Sequence, residues 1–202
     1  NGNVTFGFLG YPVSQAADIT FLCANVVPVG EDQKPMLEQT NSIIRKFHKY
    51  YGELFPTPKG IYGEIARLSG LDGIKMSKSF NNAIYISDSP EIVESKVKKA
   101  KTDSDVSNLI RFDEKNKPNV SNLMQYYKIA TGKEFNEIEK EFEGITSYRE
   151  FKEKLVIELN KFLTPIREKR KKYEDNPELV WEIINNGTKK ANDVKIYRNL
   201  FY

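Results

Sequence analysis

The 202-residue chain has one cysteine, one histidine and no apolar run near the ~20 residues that a membrane-spanning helix needs. A lone Cys23 cannot close an internal disulfide, so a reducing cytosol is the expected compartment. A lone His48 cannot build a histidine-rich zinc site. No charge sign dominates: 31 Lys and Arg against 28 Asp and Glu leave +3, too weak a field to name a partner. There is no repeat and no low-complexity tract. The chain begins Asn1-Gly2-Asn3, without an initiator methionine or signal peptide, and is expected to be an interior or C-terminal piece of something longer. The composition, 39% hydrophobic and 29% charged, is that of a globular protein, long enough for one large domain or one and a half small ones.

The stretch that carries the most chemistry is Gly73-Ile74-Lys75-Met76-Ser77-Lys78-Ser79-Phe80-Asn81-Asn82. From Lys75 on it packs two lysines, two serines and two asparagines into eight residues. Gly70 and Gly73 precede it and leave the backbone easy to rearrange. Ammoniums, hydroxyls and backbone N–H groups on such a loop suit a polyphosphate. An ordinary basic surface loop has the same composition. The pentapeptide Lys75-Met76-Ser77-Lys78-Ser79, however, arises by chance in a chain this long only on the order of once in ten thousand.

The N-terminal part reads as α/β. Residues 4–10 are apolar and suit a short strand or a buried lead-in, and Pro12 is placed to open a helix over 13–24. Tyr11, Gln15, Asp18 and Leu22 then share one helix face. Asp18 has small or apolar neighbours in Ala16, Ala17, Ile19 and Phe21, so its carboxylate needs a donor, either inside the protein or on a ligand. Val26-Val27-Pro28-Val29 predicts a strand of a parallel sheet ending at Gly30. A helix follows over 32–51, with Met36, Thr40, Ile43, Ile44 and Phe47 as its apolar stripe and Gly52 as its stop. His48 on that helix has no carboxylate or nucleophile near it and is read as half-exposed. A second strand is expected over 61–68. Two polar motifs, Gly30-Glu31-Asp32-Gln33 and the loop at 75–79, thus each follow a strand, where open α/β sheets bind ligands.

From about residue 88 the pattern turns helical. Ser89-Pro90-Glu91 is a capped helix start. Further helices are expected over 121–131, closed by Gly132, over 136–143, and over 147–173, with Phe151, Leu155, Leu159, Phe162, Leu163 and Ile166 inward and a kink at Pro165. Asn176-Pro177-Glu178 opens the last helix, expected to run to near Tyr202 with strain at Gly187. Two basic clusters, Lys96, Lys98, Lys99 and Lys101, then Arg167, Lys169, Arg170, Lys171 and Lys172, suit nucleic-acid phosphates or are solvated helix faces.

Three segments, in order, resemble the bacterial tryptophanyl-tRNA synthetases of class I: Tyr11-Pro12-Val13-Ser14-Gln15-Ala16-Ala17-Asp18-Ile19, Val27-Pro28-Val29-Gly30-Glu31-Asp32-Gln33, and Lys75-Met76-Ser77-Lys78-Ser79. Thr102-Asp103-Ser104 and Pro118-Asn119-Val120-Ser121-Asn122-Leu123 are similar to that family's helical domain. The resemblance implies the second half of a Rossmann-type parallel-sheet catalytic domain over 1–87, followed by an all-helical anticodon-binding domain over 88–202.

In that resemblance Asp18 would accept the indole N–H of tryptophan. Tyr11 and Gln15 would line the pocket, and Val27 and Val29 would pack on its apolar side; Gln15 stands where many members carry methionine. Gly30, Glu31 and Asp32 would meet the ATP ribose, Gln33 would orient the amino acid, and Leu68 would sit by the adenine. Residues 75–79, including Met76, Ser77 and Ser79, would close over the triphosphate, with Lys75 and Lys78 catalytic and Mg²⁺ sharing the charge. The partners implied are tRNA(Trp), L-tryptophan, ATP and, for the full-length enzyme, a second subunit in a homodimer; neither a protein-bound metal nor a membrane is expected. The family's His- or Thr-Gly-rich ATP turn is absent, so the chain alone is expected to have little or no activity. A tyrosyl-tRNA synthetase is the alternative enzyme, disfavoured by Ala17-Asp18 and by Ser77. A non-catalytic nucleic-acid-binding module is the alternative outside enzymes, and ATP binding separates it.

Overall fold

The computed structural model describes residues 5–63, 68–104 and 109–193, and the chain divides into two compact units, Asn1–Ala66 with Glu178–Tyr202, and Arg67–Pro177. The lysine–serine loop thereby belongs to the same unit as the central helices. The expected division at 87/88 concerns roles and is a separate matter from this grouping by contact.

The first unit is built on one parallel βαβ crossover. Helix α1 spans Phe6–Phe21, strand β1 Val26–Val29, helix α2 Lys34–Tyr51 and strand β2 Lys59–Tyr62. β1 and β2 pair in parallel, in register from Val26 opposite Lys59 to Val29 opposite Tyr62, with α2 as the crossover that a parallel pair needs. β2 is shorter and earlier than expected. Of its predicted span, 64–67 lie outside the described residues.

α1 also corrects the sequence reading. It starts at Phe6 instead of after Pro12, because the Thr5 hydroxyl accepts the Phe8 N–H at 3.2 Å and caps the helix there. Pro12 lies buried inside the helix, and its missing N–H was read as a start when it is an interior defect. α2 follows expectation, stopped by Gly52 at φ 90°. Its buried line is Leu37, Thr40 and Ile44, with Ile43 turned outward. His48 accepts the Phe55 N–H on Nε2 at 3.1 Å and lies parallel to the Phe55 ring, which is a structural role for the single histidine.

Helix α7, Pro177–Asn192, passes through Gly187 without a break and buries no residue; Trp181, Ile183 and Ile184 are exposed on it. The rest of its expected length, 194–202, lies outside the described residues.

The second unit holds helices α3 (Pro90–Lys99), α4 (Pro118–Thr131), α5 (Phe135–Glu141) and α6 (Tyr148–Glu174). Their boundaries are chemical. Ser89 and Ser147 cap α3 and α6, a reciprocal box between Glu134 and Glu137 opens α5, and Gly132 at φ 73° closes α4. The core joins Val93 and Val97 of α3, Val120, Leu123, Met124 and Tyr127 of α4, Ile138 of α5 and the α6 line Phe151, Leu155, Leu159 and Leu163. That line is strictly four residues apart. Phe162 and Ile166, expected inward, are 42% and 36% exposed and lie off it.

The start of α4 explains two of the family-like segments. Lys117, at the cap position, does not cap the helix with its side chain, which instead reaches the Leu109 carbonyl and the Tyr148 hydroxyl, each at 3.4 Å. Asp103 serves instead, accepting from the Val120 N–H at 2.9 Å and the Asn119 side-chain amide at 2.6 Å. The two segments are a carboxylate and the helix end it neutralises.

Candidate active-site segments

In the first unit, Tyr11, Gln15 and Asp18 sit on α1, whose buried residues are Pro12, Ala16 and Ile19; Gln15 is half-buried, and Tyr11 and Asp18 are exposed. Tyr11 is 46% exposed and meets Phe8 edge-on. Asp18 is exposed, and no described donor reaches it. The desolvation penalty expected for this carboxylate is therefore not incurred: Ala16 and Ile19 are buried while Asp18 itself stays in solvent. On β1, Val27 and Val29 are half-buried and share a face, while Val26 and Pro28 are exposed on the other.

The strand ends at Gly30, and Glu31, Asp32 and Gln33 form a single 3-10 turn, with the Gln33 N–H donating to the Gly30 carbonyl at 3.0 Å. The Asp32 carboxylate folds back over Gly30. A Cβ there would lie 2.7 Å from Oδ1, so a larger residue would have to turn the Asp32 side chain aside. Glu31 and Asp32 are exposed, and Gln33 is half-buried.

In the second unit, Leu68 and Met76 pack against the helical core. Met76 is thus the anchor of the lysine–serine loop. Lys75, Lys78 and Ser79 are exposed. Ser77 caps a 3-10 turn over Lys78–Phe80, its Oγ accepting the Ser79 N–H at 3.3 Å and lying 2.7 Å from the Ser79 Oγ. The turn ends at Asn81 in the left-handed region at φ 48°, and the loop begins beyond Gly73 at φ 82°. Lys75 and Lys78 have no ion pair among the described residues. The arrangement is two ammoniums without an ion pair among the described residues, which can donate to a polyanion without first breaking one, beside two hydroxyls that are bonded to each other.

The base of the loop is tied down, whereas its glycines suggested freedom. Asn122 of α4 accepts the Ser69 N–H at 3.2 Å and donates to the Gly70 carbonyl at 2.9 Å; the Tyr126 hydroxyl donates to the Ser69 carbonyl at 2.7 Å. Burial pushes the Asp72 carboxyl up, but hydrogen bonds from the Asn82 amide and the Ile74 N–H, with the Lys101 charge, outweigh it and hold it below the usual range. Sequence reasoning missed Asp72, Asn82, Asn122 and Tyr126. The available signal was a polar residue beside apolar ones, as in Leu71-Asp72 and Asn82-Ala83-Ile84.

The two basic clusters resolve into parts. Lys96 is a strut, donating to the Ala83 carbonyl at 2.8 Å and to Asp88 at 2.7 Å, and Lys98 pairs with Glu94. Lys99 and Lys101 remain, lining a cavity of about 440 Å³ with Phe80, Asn81 and Ile92. In the second cluster Arg167 binds Asn160, Arg170 pairs with Glu174 and Lys171 with Asp175. The last two pairs are exposed, whereas Arg167 is half-buried.

Residues 1–164 match the family described as tRNA synthetases class I (W and Y). The chain is 40% identical over 195 residues to the tryptophan–tRNA ligase of Aquifex aeolicus, covering 94% of this chain and 48% of that protein. Two solved tryptophanyl-tRNA synthetases, each 29% identical, resemble it over 98% of this chain and 62% of theirs. That of Mycoplasma pneumoniae has a TM-score of 0.79; that of Campylobacter jejuni, in complex with ADP and tryptophan, has 0.74. The chain spans about half the length of the curated relatives it matches.

Proposed function

The chain belongs to the class I tRNA synthetases of the tryptophan and tyrosine type, and from that premise we propose that it carries part of a tryptophan–tRNA ligase. The observation that carries the reading is the 40% identity, over nearly its whole length, to a tryptophan–tRNA ligase. Its substrates are L-tryptophan and ATP, its acceptor is tRNA(Trp), and its compartment is the cytoplasm; the full-length enzyme is a homodimer. No described helix is long and apolar enough to cross a membrane. Mg²⁺ enters with ATP as part of the substrate.

The reaction is in-line attack of the tryptophan carboxylate on the α-phosphorus, with pyrophosphate leaving, followed by esterification of the tRNA terminal ribose. The protein contributes position and charge. Lys75 and Lys78 donate to the triphosphate from the exposed turn, and the Ser77 and Ser79 hydroxyls assist. In the first unit, Asp18 accepts the indole N–H, with Tyr11, Gln15, Val27 and Val29 lining the same pocket. Gly30, Glu31 and Asp32 meet the ribose, and Gln33 orients the amino acid. Leu68 sits by the adenine. The helical region over 88–202 contacts tRNA, and Lys169 and Lys172, which have no ion pair among the described residues, are its freest cations in the second cluster.

The test is ATP–pyrophosphate exchange by the full-length protein. Exchange that depends on tryptophan is expected; exchange with tyrosine alone, or none with either amino acid, would overturn the reading. Within it, Asp18→Ala should raise the tryptophan KM with little change in the ATP KM. A lost hydrogen bond to a charged acceptor costs roughly 1.5–3 kcal/mol. An unaltered tryptophan KM would remove Asp18 from the pocket.

A further inference from the structure

The geometry points to Asn82 as a positioning residue for the lysine–serine loop: its side-chain amide, backed by Asp72, holds the backbone on both sides of Met76 and thereby aims Lys75 and Lys78. The inference rests on the proposed role of that loop in ATP activation.

Asn82 is 7% exposed, and both arms of its amide are hydrogen-bonded. Its Oδ1 accepts the Ser77 N–H at 3.0 Å. Its Nδ2 donates to both Asp72 oxygens, at 2.9 and 3.1 Å, and to the Lys75 carbonyl at 3.2 Å. The partners fix which end of the amide is which, since one side offers a donor and the other only acceptors. Its own backbone carbonyl accepts the Leu71 N–H at 2.8 Å. Asp72 is in turn held by the Ile74 N–H at 3.1 Å. Gly70 has no side chain where the amide lies; a Cβ there would overlap Asn82. Asn122 and Tyr126 of α4 fasten Ser69 and Gly70 just before this turn.

The bonds form one connected path, from α4 through the turn at 69–72 to the amide, and from the amide to the loop at Lys75 and Ser77. Asn82 makes no bond to the turn over Lys78–Phe80. The clasp thus sets the direction in which the loop leaves the core and leaves its tip free to meet a ligand. An amide suits this position because it carries two N–H donors on one arm and an acceptor oxygen on the other, which a single hydroxyl does not. A carboxylate of the same shape would face the Asp72 oxygens and the Lys75 carbonyl with no proton to offer.

The experiment uses the full-length ligase and the variant Asn82→Asp. Three quantities are read: the single-turnover rate of adenylate formation at saturating ATP, the tryptophan KM, and tryptic cleavage after Lys75 and Lys78. Misplacing the loop should slow adenylate formation by about ten- to a hundredfold. It should also speed cleavage and leave the tryptophan KM unchanged. The reciprocal pair Asp72→Asn with Asn82→Asp restores a donor facing an acceptor and should recover part of the rate. Gly70→Ala displaces the amide with Asn82 intact and should reproduce the slow phenotype, so the proposal stays testable if Asn82→Asp does not fold. A wild-type rate and wild-type cleavage in Asn82→Asp, or in Gly70→Ala if it alone folds, would overturn the inference, as would a lowered melting temperature with an unaltered rate. Lys78→Ala separates this failure from failure of the loop's role. If Lys78→Ala is slow and Asn82→Asp is not, only the clasp is wrong; if neither is slow, the ATP role is wrong as well.

Discussion

Lys78→Ala in the full-length ligase should slow single-turnover adenylate formation by about 10²–10³-fold, or ~2.7–4 kcal/mol, the usual effect of removing one positioned donor to developing charge. The magnitude depends on Lys78 being ready to act. It is exposed and without an ion pair among the described residues, and it starts a turn that Ser77 caps and Asn81 ends. No internal bond has to break before the ammonium meets phosphate. If the charge acts chiefly on the departing pyrophosphate, kcat falls more than the ATP KM rises. Lys78→Arg should recover only part of the rate, because a planar fork places its charge differently from a compact ammonium. Lys75, whose own carbonyl accepts from the Asn82 amide, should show the same sign. A Lys78→Ala enzyme that forms adenylate at the wild-type rate but requires more ATP would reduce the loop to a binding element.

The loop's chemistry could be read from the sequence because it is local: five adjacent residues carry it. The same holds for the strand at 26–29, the stop at Gly52, the closure at Gly132 and the cap at Ser89, where one or two neighbours decide the backbone. The support of the loop was not readable. Ser69 finds its acceptor on Asn122, 53 residues away, and Val120 finds its cap on Asp103, 17 residues earlier. No window along the chain joins them. The exposure of Asp18 was not readable for a related reason. Sequence neighbours on a helix point in different directions, so Ala16 and Ile19 could be buried while Asp18 stayed in solvent. Pro12 misled because one residue type both opens helices and interrupts them. In α6 the apolar residues exceeded what one face holds, and only packing decided that Phe162 and Ile166 lie outside the buried line.

That packing has its largest expected consequence at Phe151. Its side chain is fully buried; its ring meets Phe142 edge-on at 4.8 Å and Tyr127 at 5.8 Å, and Tyr127 meets Phe142 at 5.4 Å. Three rings from α4, α6 and the end of α5 close on one another, so no one of them can move into a gap left by another without opening a second. Phe151→Ala should therefore destabilise the helical unit by about 3–5 kcal/mol, transfer and cavity costs combined. The expected readout is a large fall in the urea midpoint with an unaltered slope. Phe162→Ala, on the same helix but 42% exposed, should shift stability by only about 0.5 kcal/mol. Equal midpoints for the two variants would mean that the line from Phe151 to Leu163 is not the seam that holds α6 to α4. The base of the loop is fastened to that same α4, through Asn122 and Tyr126. A Phe151→Ala enzyme assayed near its midpoint should therefore lose adenylate formation in step with folded protein, whereas Lys78→Ala loses it while fully folded.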